Sequence, residues 1–591
     1  MKRTVAQVIV RCLELEGIEY AFGISGSHYL SFFNALKDST IKYISVKHEG
    51  AAGFMALNYT KTSQKPALML GTAGPGAINL VSGISEMYKA GIPGIVITPL
   101  VSSNFFGRNA YQEDSGYGVS YSINGLLSCI TKRSILAYSP EQVPDDLREL
   151  FRNSLSAPYG PTHLGIPSDY FSVEIEYDDV KPDHYRLVKD SRVENSKTQR
   201  IISLLKEAKN PIICIGNRCV YPNSSSELQA LVNAIQSPFV LTHGSKGILD
   251  EYQELFGGVI DYYGHRSAEK LIRQSDFVLA IGMDFSEAET LAYDPDLFKN
   301  SKIIAIDSDT CRFAMSYPVE FAIAGDIPST LNLLCALLKQ EKFSPATQVK
   351  QIAEDIISAN TAQNNIMEQI TTPLKIEYIY AEISKLLPQD ALVFADTGAS
   401  SFSSVRHLKT RQNGYFTSAA GYAMGQSVAG CIGGKCAFPD KFVLCLCGDG
   451  AFLMHGNEVL TAVQYNLGIT WIIFKDDFYN MIQINQCLSY GGGLEFCTKI
   501  QNPDYKYLAQ AFGVHYHEVH SAPDIEKSIN ESIQHNRNHQ SSIITVYYDY
   551  EQHLPVKSQM VQTMKEMGQT KDIKSNPYLM KAFTKTLREK V

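Results

Sequence analysis

Two aspartates set the chemistry this chain can do. Asp449 sits between Gly448 and Gly450 after the apolar run 441–447, and Asp476 ends a second apolar run, 469–474, 27 residues later. Runs of that kind read as buried parallel strands, so both carboxylates stand at strand ends. The two glycines permit a tight turn and close backbone approach. Strand-end carboxylates beside a helix N-terminus suit a Mg2+ that also holds phosphate oxygens, because Mg2+ takes few protein ligands. A lone Gly-Asp-Gly is more often a plain turn; the second strand-end carboxylate makes it a candidate site. A third acid, Glu49, follows the strand 41–46 in Lys47-His48-Glu49-Gly50. From position alone it is either a charge at a helix start or a functional carboxyl.

The segments that must position these residues alternate strand and helix. Asn457 opens an amphipathic stretch, 457–467, with Val459, Leu460, Val463 and Leu467 on one face. In the N-terminal third, strands at 20–22, 41–46, Leu68–Leu70 and 95–98 are followed by turns that include 23–28, 47–50 and 71–76. These three turns share one edge of one sheet. The middle third has strands Pro211–Ile215, Phe239–Thr242, Phe277–Ile281 and 303–306. It reads as a Rossmann-like unit with a structural role, since no Gly-x-Gly-x-x-Gly follows any of its strands. In the C-terminal third, Leu392–Ala395 ends at Asp396-Thr397-Gly398-Ala399-Ser400, where N–H groups and hydroxyls can hold a diphosphate. The last strand is 542–548.

The expected fold class is α/β, with three doubly wound parallel-sheet domains at 1–175, 192–342 and 365–552 and a C-terminal tail, 553–591. The polar stretch 172–195 reads as a linker. Residues 486–500, with Gly491-Gly492-Gly493, read as a mobile loop over the site mouth.

Composition narrows the function classes. The net charge is −8 over 591 residues, which argues against a nucleic-acid surface. No apolar run reaches the length of a membrane span. Arg11, Glu14 and Glu16 lie where a signal peptide would be apolar. The 12 cysteines form no Cys-x-x-Cys pair and read as reduced core residues of a cytoplasmic protein.

Together these segments resemble the thiamine diphosphate (ThDP) enzymes of the pyruvate decarboxylase/acetolactate synthase superfamily. Their diphosphate-and-metal motif is Gly-Asp-Gly followed at this spacing by Asn or Asp. The resemblance implies that Asp449, Asp476 and the carbonyl of Phe478 bind Mg2+, with Gly448, Gly450, Ala451, Tyr479, Asn480 and Met481 at the cofactor. Lys475 stands where the motif usually has Asn and is left unassigned. The stretch 47–56 is similar to [RK]HE-x-x-A-x-x-M-A, which implies that Glu49 hydrogen-bonds the cofactor's aminopyrimidine ring and so drives ylide formation.

Further matches fill out the site. Gly26, Thr72, Gly74, Thr397, Gly398, Ala399 and Ser400 fall in segments that the resemblance places at the cofactor. Residues 418–425 are similar to SGGLGTMG, which makes Met424 the wedge that bends the cofactor and brings its amine to the reacting carbon. Gln112 matches the glutamine that carboligases of the family carry near the thiazolium. His28 stands where FAD-independent acetolactate synthases have Lys; it orients a carboxylate, donates a proton or is an ordinary histidine.

The function implied is ThDP- and Mg2+-dependent decarboxylation of a pyruvate-like 2-oxo acid, then carboligation of the enamine to a second carbonyl compound. This is closest to catabolic, FAD-independent acetolactate synthase. Simple decarboxylases carry a His-His pair where this chain has Ala110-Tyr111-Gln112-Glu113, and a glutamate where it has Ile482. FAD is not expected, because 283–287 replaces the RFDDR segment. Tyr422-Ala423 and residues 57–61 depart from the family pattern. Three alternatives stay open: a non-ligating decarboxylase, a carboligase for a non-pyruvate substrate, and a non-catalytic ThDP-fold protein. The resemblance implies a homodimer or homotetramer, with the cofactor between the first domain of one subunit and the third of another.

Overall fold

Small residues shape the packing around Glu49. The helix Glu49–Ser63 is buried along nearly its whole length. A Cβ on Gly53 would lie 2.7 Å from the Cα of Gly83 in the helix Val81–Ala90. On another side, a Cβ on Gly433 of the helix Gln426–Ala437 would lie 2.8 Å from the Met55 carbonyl carbon. Contacts this close exclude any side chain, so these glycines let three helix backbones approach.

The computed structural model describes residues 2–186, 195–313, 316–341, 343, 370–418, 421–490 and 496–550. It forms two compact units. One consists of Met1–Asp190, Ala420–Lys441 and His455–Ile469; the other consists of Ser191–Ala419, Phe442–Met454 and Thr470–Val591. Among the described residues no helix is long and apolar enough to cross a membrane.

The first unit holds a six-stranded parallel sheet in the order Lys42–Ser45, Tyr20–Gly23, Leu68–Leu70, Gly94–Leu100, Pro161–Pro167, Arg133–Leu136. A short antiparallel pair, Lys2–Thr4 with Glu174–Glu176, lies beside it. The N-terminal helix is therefore preceded by a strand and runs Val5–Leu15, capped by Thr4 and Gln7.

The second unit holds two six-stranded parallel sheets. One runs Phe256–Ile260, Phe239–Thr242, Pro211–Ile215, Phe277–Ile281, Lys302–Asp307, Phe321–Ala324. Numbered along the chain this is 3-2-1-4-5-6, the Rossmann order. The other runs Tyr415–Thr417, Leu392–Ala395, Val443–Gly448, Thr470–Lys475, Ser542–Tyr547, His515–Val519. Its order, 2-1-3-4-6-5, repeats that of the sheet in the first unit.

Parallel pairing puts all carboxyl ends of a sheet on one edge. In an order that begins 2-1-3, the connections leave in opposite directions from strands 1 and 3, which opens a crevice between them. The Asp396–Gly398 and Gly448–Asp449 turns flank that crevice in the third sheet; the 23–28 and 71–76 turns flank it in the first.

Two local expectations are corrected. The 457–467 stretch forms a 3-10 turn, Gly456–Glu458, and a short helix, Val459–Gln464. Leu460 and Val463 are exposed, because the turn rotates the burial onto Val459 and Ala462. Residues 486–490, expected in a loop, continue the helix Asn480–Tyr490, since no Gly or Pro interrupts them. Residues 491–495 and the tail from 551 lie outside the described residues.

Candidate functional site

Asp449 is the first residue of the helix Asp449–His455, directly after its strand, and is 1% exposed. Its Oδ1 accepts the N–H of Gly450 at 2.8 Å. Its Oδ2 accepts from the N–H groups of Asp476 at 3.3 Å and Asp477 at 2.8 Å, and from Asn502 Nδ2 at 2.6 Å. Asp476, 8% exposed, accepts from the N–H of Phe478 at 3.1 Å, from Asn480 Nδ2 at 2.8 Å and from the Tyr548 hydroxyl at 2.9 Å. Burial raises the pKa of both acids. Asp476 reaches about 6, with the neighbouring charge of Asp449 as the second cause. Two desolvated carboxylates this close repel each other, and a divalent cation relieves both penalties.

The donor set fits Mg2+. Two carboxylates and one main-chain carbonyl, that of Phe478, would hold the ion and leave positions for phosphate oxygens. Among the described residues no cluster of three or more His, Cys, Asp or Glu side chains forms a fuller metal cage. Lys475, unassigned from sequence, pairs with Asp477 at 2.7 Å. Asn502 joins Asp449 to Asp477, and Tyr505 donates to Asn502 at 2.7 Å. Asn502, Asp477 and Tyr548 were missed in the sequence; the only signal was that Asp477 and Tyr548 end strands.

The diphosphate half fits as well. Thr397 follows a strand end, and its Oγ1 is buried without a partner among the described residues. A Cβ on Gly398 would meet no atom of the described residues within 4 Å, and one on Gly448 would lie 3.6 Å from Ser400 Oγ. Ala399 and Ser400 open the helix Ala399–His407. Ala451 is buried in the helix that follows Asp449. Phe478 bridges to Lys499, and the N–H of Tyr479 donates to the Thr498 carbonyl at 2.7 Å. The sulfur of Met481 accepts a hydrogen bond from the Tyr263 hydroxyl at 3.2 Å.

In the first unit, Glu49 begins its helix behind the cap His48, whose Nδ1 accepts the N–H of Gly50 at 3.0 Å. Asn79 Nδ2 donates to Glu49 Oε2 at 3.0 Å. A Cβ on Gly76 would lie 3.1 Å from Glu49 Oε1, so the 71–76 turn packs directly on the carboxyl. Glu458 accepts the N–H groups of Lys47 at 2.9 Å and His48 at 3.0 Å, which fixes the strand-to-helix junction.

The same turn gathers other predicted residues. A Cβ on Gly26 would come within 2.6 Å of Thr72 Cβ, and one on Gly74 within 3.2 Å of the Gln112 carbonyl oxygen. Thr72 Oγ1 is buried without a partner among the described residues. Gly74 and Gln112 both have positive φ, +70° and 62°. The N–H of Gly74 donates to Asp114 Oδ2 at 2.8 Å. Asp114 is fully buried, and desolvation raises its pKa to about 6. His28 lies half-buried on the 3-10 turn after Gly26, where burial lowers its pKa. Met424 is half-buried just before the helix Gln426–Ala437. The structure thus gathers Gly26, Thr72, Gly74, Glu49 and Gln112 around one turn. Asn79, Asp114 and Glu458, which serve them, have no local sequence signature.

Three family descriptions match the chain in order. They are the thiamine pyrophosphate enzyme N-terminal TPP binding domain over residues 3–119, the central domain over 198–334 and the C-terminal TPP binding domain over 396–546. Among curated relatives, a probable acetolactate synthase large subunit of Methanococcus aeolicus is 27% identical over 544 residues, 89% of this chain and 90% of that one. The acetolactate synthase large subunit of Haemophilus influenzae is 26% identical over 536 residues, 90% and 92% of the two chains. The isozyme 1 large subunit of Escherichia coli K12 is 26% identical over 532 residues, again 90% and 92%. With two cofactor-binding descriptions flanking a central one, over sheets whose strand-end turns carry the acids described above, the chain belongs to the thiamine diphosphate-dependent enzymes of the acetolactate synthase superfamily.

Proposed function

We propose that this enzyme decarboxylates a pyruvate-like 2-oxo acid and joins the remaining fragment to a second carbonyl compound, using ThDP and Mg2+. The observation that carries the reading is the buried Asp449–Asp476 pair, which has little purpose without a cation. When bound, the cofactor supplies a carbon nucleophile that adds to the 2-oxo acid and accepts its electron pair as CO2 leaves. Asp449, Asp476 and the Phe478 carbonyl hold Mg2+, and Thr397, Ser400 and the Gly448 turn receive the diphosphate. Glu49, held by Asn79, exchanges a proton with the pyrimidine ring nitrogen. Gln112 orients a substrate oxygen through its carboxamide, and His28 orients a substrate carboxylate. The names of the relatives support ligation to acetolactate as the outcome.

FAD has no part in this reading. At the carboxyl edge of the Rossmann-ordered sheet, Arg218 pairs with Asp284 at 3.4 Å and Asp309 at 3.7 Å, and Arg312 pairs with the same two acids at 3.5 and 3.3 Å. These pairs support a crevice satisfied by the chain's own charges. The enzyme works as a homodimer or homotetramer in the cytoplasm, with domains at 1–175, 192–342 and 365–552.

Asp114 favours a second reading. A buried acid that keeps its proton to about pH 6, two residues from Gln112, is the kind of group that protonates a carbanion and releases an aldehyde. Purified protein given ThDP, Mg2+ and pyruvate separates the two. Acetolactate is the expected product, acetaldehyde alone establishes the second reading, and no CO2 from any of a panel of 2-oxo acids overturns both.

A further inference from the structure

Glu86 is 3% exposed, yet its carboxylate is turned onto a backbone segment far along the chain. Its Oε2 accepts the N–H of Gly421 at 3.2 Å, and its Oε1 accepts the N–H of Ala423 at 3.2 Å. These two donors lie immediately before Met424. A Cβ on Gly421 would collide with the carboxylate, lying 2.6 Å from Glu86 Cδ. Gly421 lies outside the positive-φ region, so the carboxylate, and not backbone conformation, bars a side chain there.

The charge is provided for. Lys61, buried on the helix that Glu49 begins, interacts electrostatically with Glu86, and desolvation lowers the lysine pKa to about 8. A buried carboxylate is costly unless paired and hydrogen-bonded, and its bonds to N–H groups are stronger than neutral ones. Glu86, on the helix Val81–Ala90, thus ties the segment before Met424 to the two helices that cross at Gly53 and Gly83. A methionine has three rotatable side-chain bonds, so it can enforce a ligand shape only if its backbone is held.

We propose that Glu86 is a positioning residue for Met424: its carboxylate clamps the turn 421–423 and so fixes where Met424 meets the cofactor. This rests on the reading of Met424 as the wedge that bends ThDP. The clamp supplies no atom to the chemistry and would act on turnover more than on cofactor affinity, because the diphosphate and metal are held elsewhere.

The test uses the full-length chain and the variants Glu86→Ala, Gly421→Ala and the double. In thermal unfolding without cofactor, Gly421→Ala destabilises the otherwise native chain, and in the Glu86→Ala background the added methyl has little or no effect. Additive losses overturn the clamp. With Mg2+ and ThDP, Glu86→Ala lowers kcat about tenfold while the cofactor Kd, read from the fluorescence of the single tryptophan, stays within about twofold. Unchanged kcat, or a parallel loss of kcat and cofactor affinity, overturns the positioning role. Met424→Ala, which removes the bulk, separates the underlying reading: if it leaves kcat unchanged while the stability coupling persists, the wedge assignment fails and the contact between Glu86 and the turn stands.

Discussion

Asp449 and Asp476, each directly after one of two neighbouring strands of one sheet, are linked directly: Oδ2 of Asp449 accepts the backbone N–H of Asp476 at 3.3 Å. That bond holds the two carboxylates at one mouth although the charge of Asp449 raises the cost of ionising Asp476. Asn502 braces the arrangement by donating to Asp449 and Asp477 at once.

Replacing Asn502 with Ala therefore weakens Mg2+ about tenfold, the usual cost of losing a partner behind a metal ligand, with a small change in stability without the metal. Mg2+-dependent shifts of thermal unfolding in the presence of ThDP measure this. The same titration on Asp449→Asn shows no Mg2+-dependent shift. An unaltered Mg2+ midpoint in Asn502→Ala contradicts the bracing role.

Asn79→Ala frees the carboxyl of Glu49 from its one described side-chain donor. A loosened acid still reaches the cofactor some of the time, so the expected loss in kcat is about tenfold, smaller than for removal of the carboxyl itself. Steady-state rates with saturating cofactor decide this; full activity in Asn79→Ala shows that Glu49 is held by its helix position alone.

Asp114 makes stability depend on pH in a direction opposite to most carboxyls. Its folded pKa, about 6, lies above the ordinary aspartate value of 3.8. Its contribution is therefore fully present below the unfolded value and is lost as pH rises through about 6. Wild-type protein should lose on the order of 1–3 kcal/mol relative to Asp114→Asn between pH 4.5 and 7.5. Urea unfolding of both proteins at the two pH values measures the difference. A gap that does not change with pH contradicts the assigned burial.

The crossing of Gly53 over Gly83 predicts that Gly53→Ala costs about 2 kcal/mol, since the added methyl must push two helix backbones apart. The urea midpoint falls while the slope is unchanged. Loss of less than about 0.5 kcal/mol shows that the helices yield easily.

What the sequence disclosed followed burial. Val443–Gly448 and Thr470–Lys475 are covered on both faces and read as unbroken apolar runs. Arg133–Leu136 and His515–Val519 are partly exposed and carry no such run, so they were missed. Pro161–Pro167 is wholly buried but bounded by prolines and broken by His163 and Gly165, which hide a strand from pattern reading. The site divides in the same way. Residues at strand ends were legible from position, whereas Asn502, Asn79 and Asp114 act across distances that no local spacing records.

The most direct measurement is CO2 release by wild-type protein and Glu49→Gln, each supplied with ThDP, Mg2+ and pyruvate, with cofactor binding followed in parallel. The account predicts steady release by wild type, at least about a hundredfold less from Glu49→Gln, and nearly equal cofactor affinity in the two. Equal release from both proteins would contradict it.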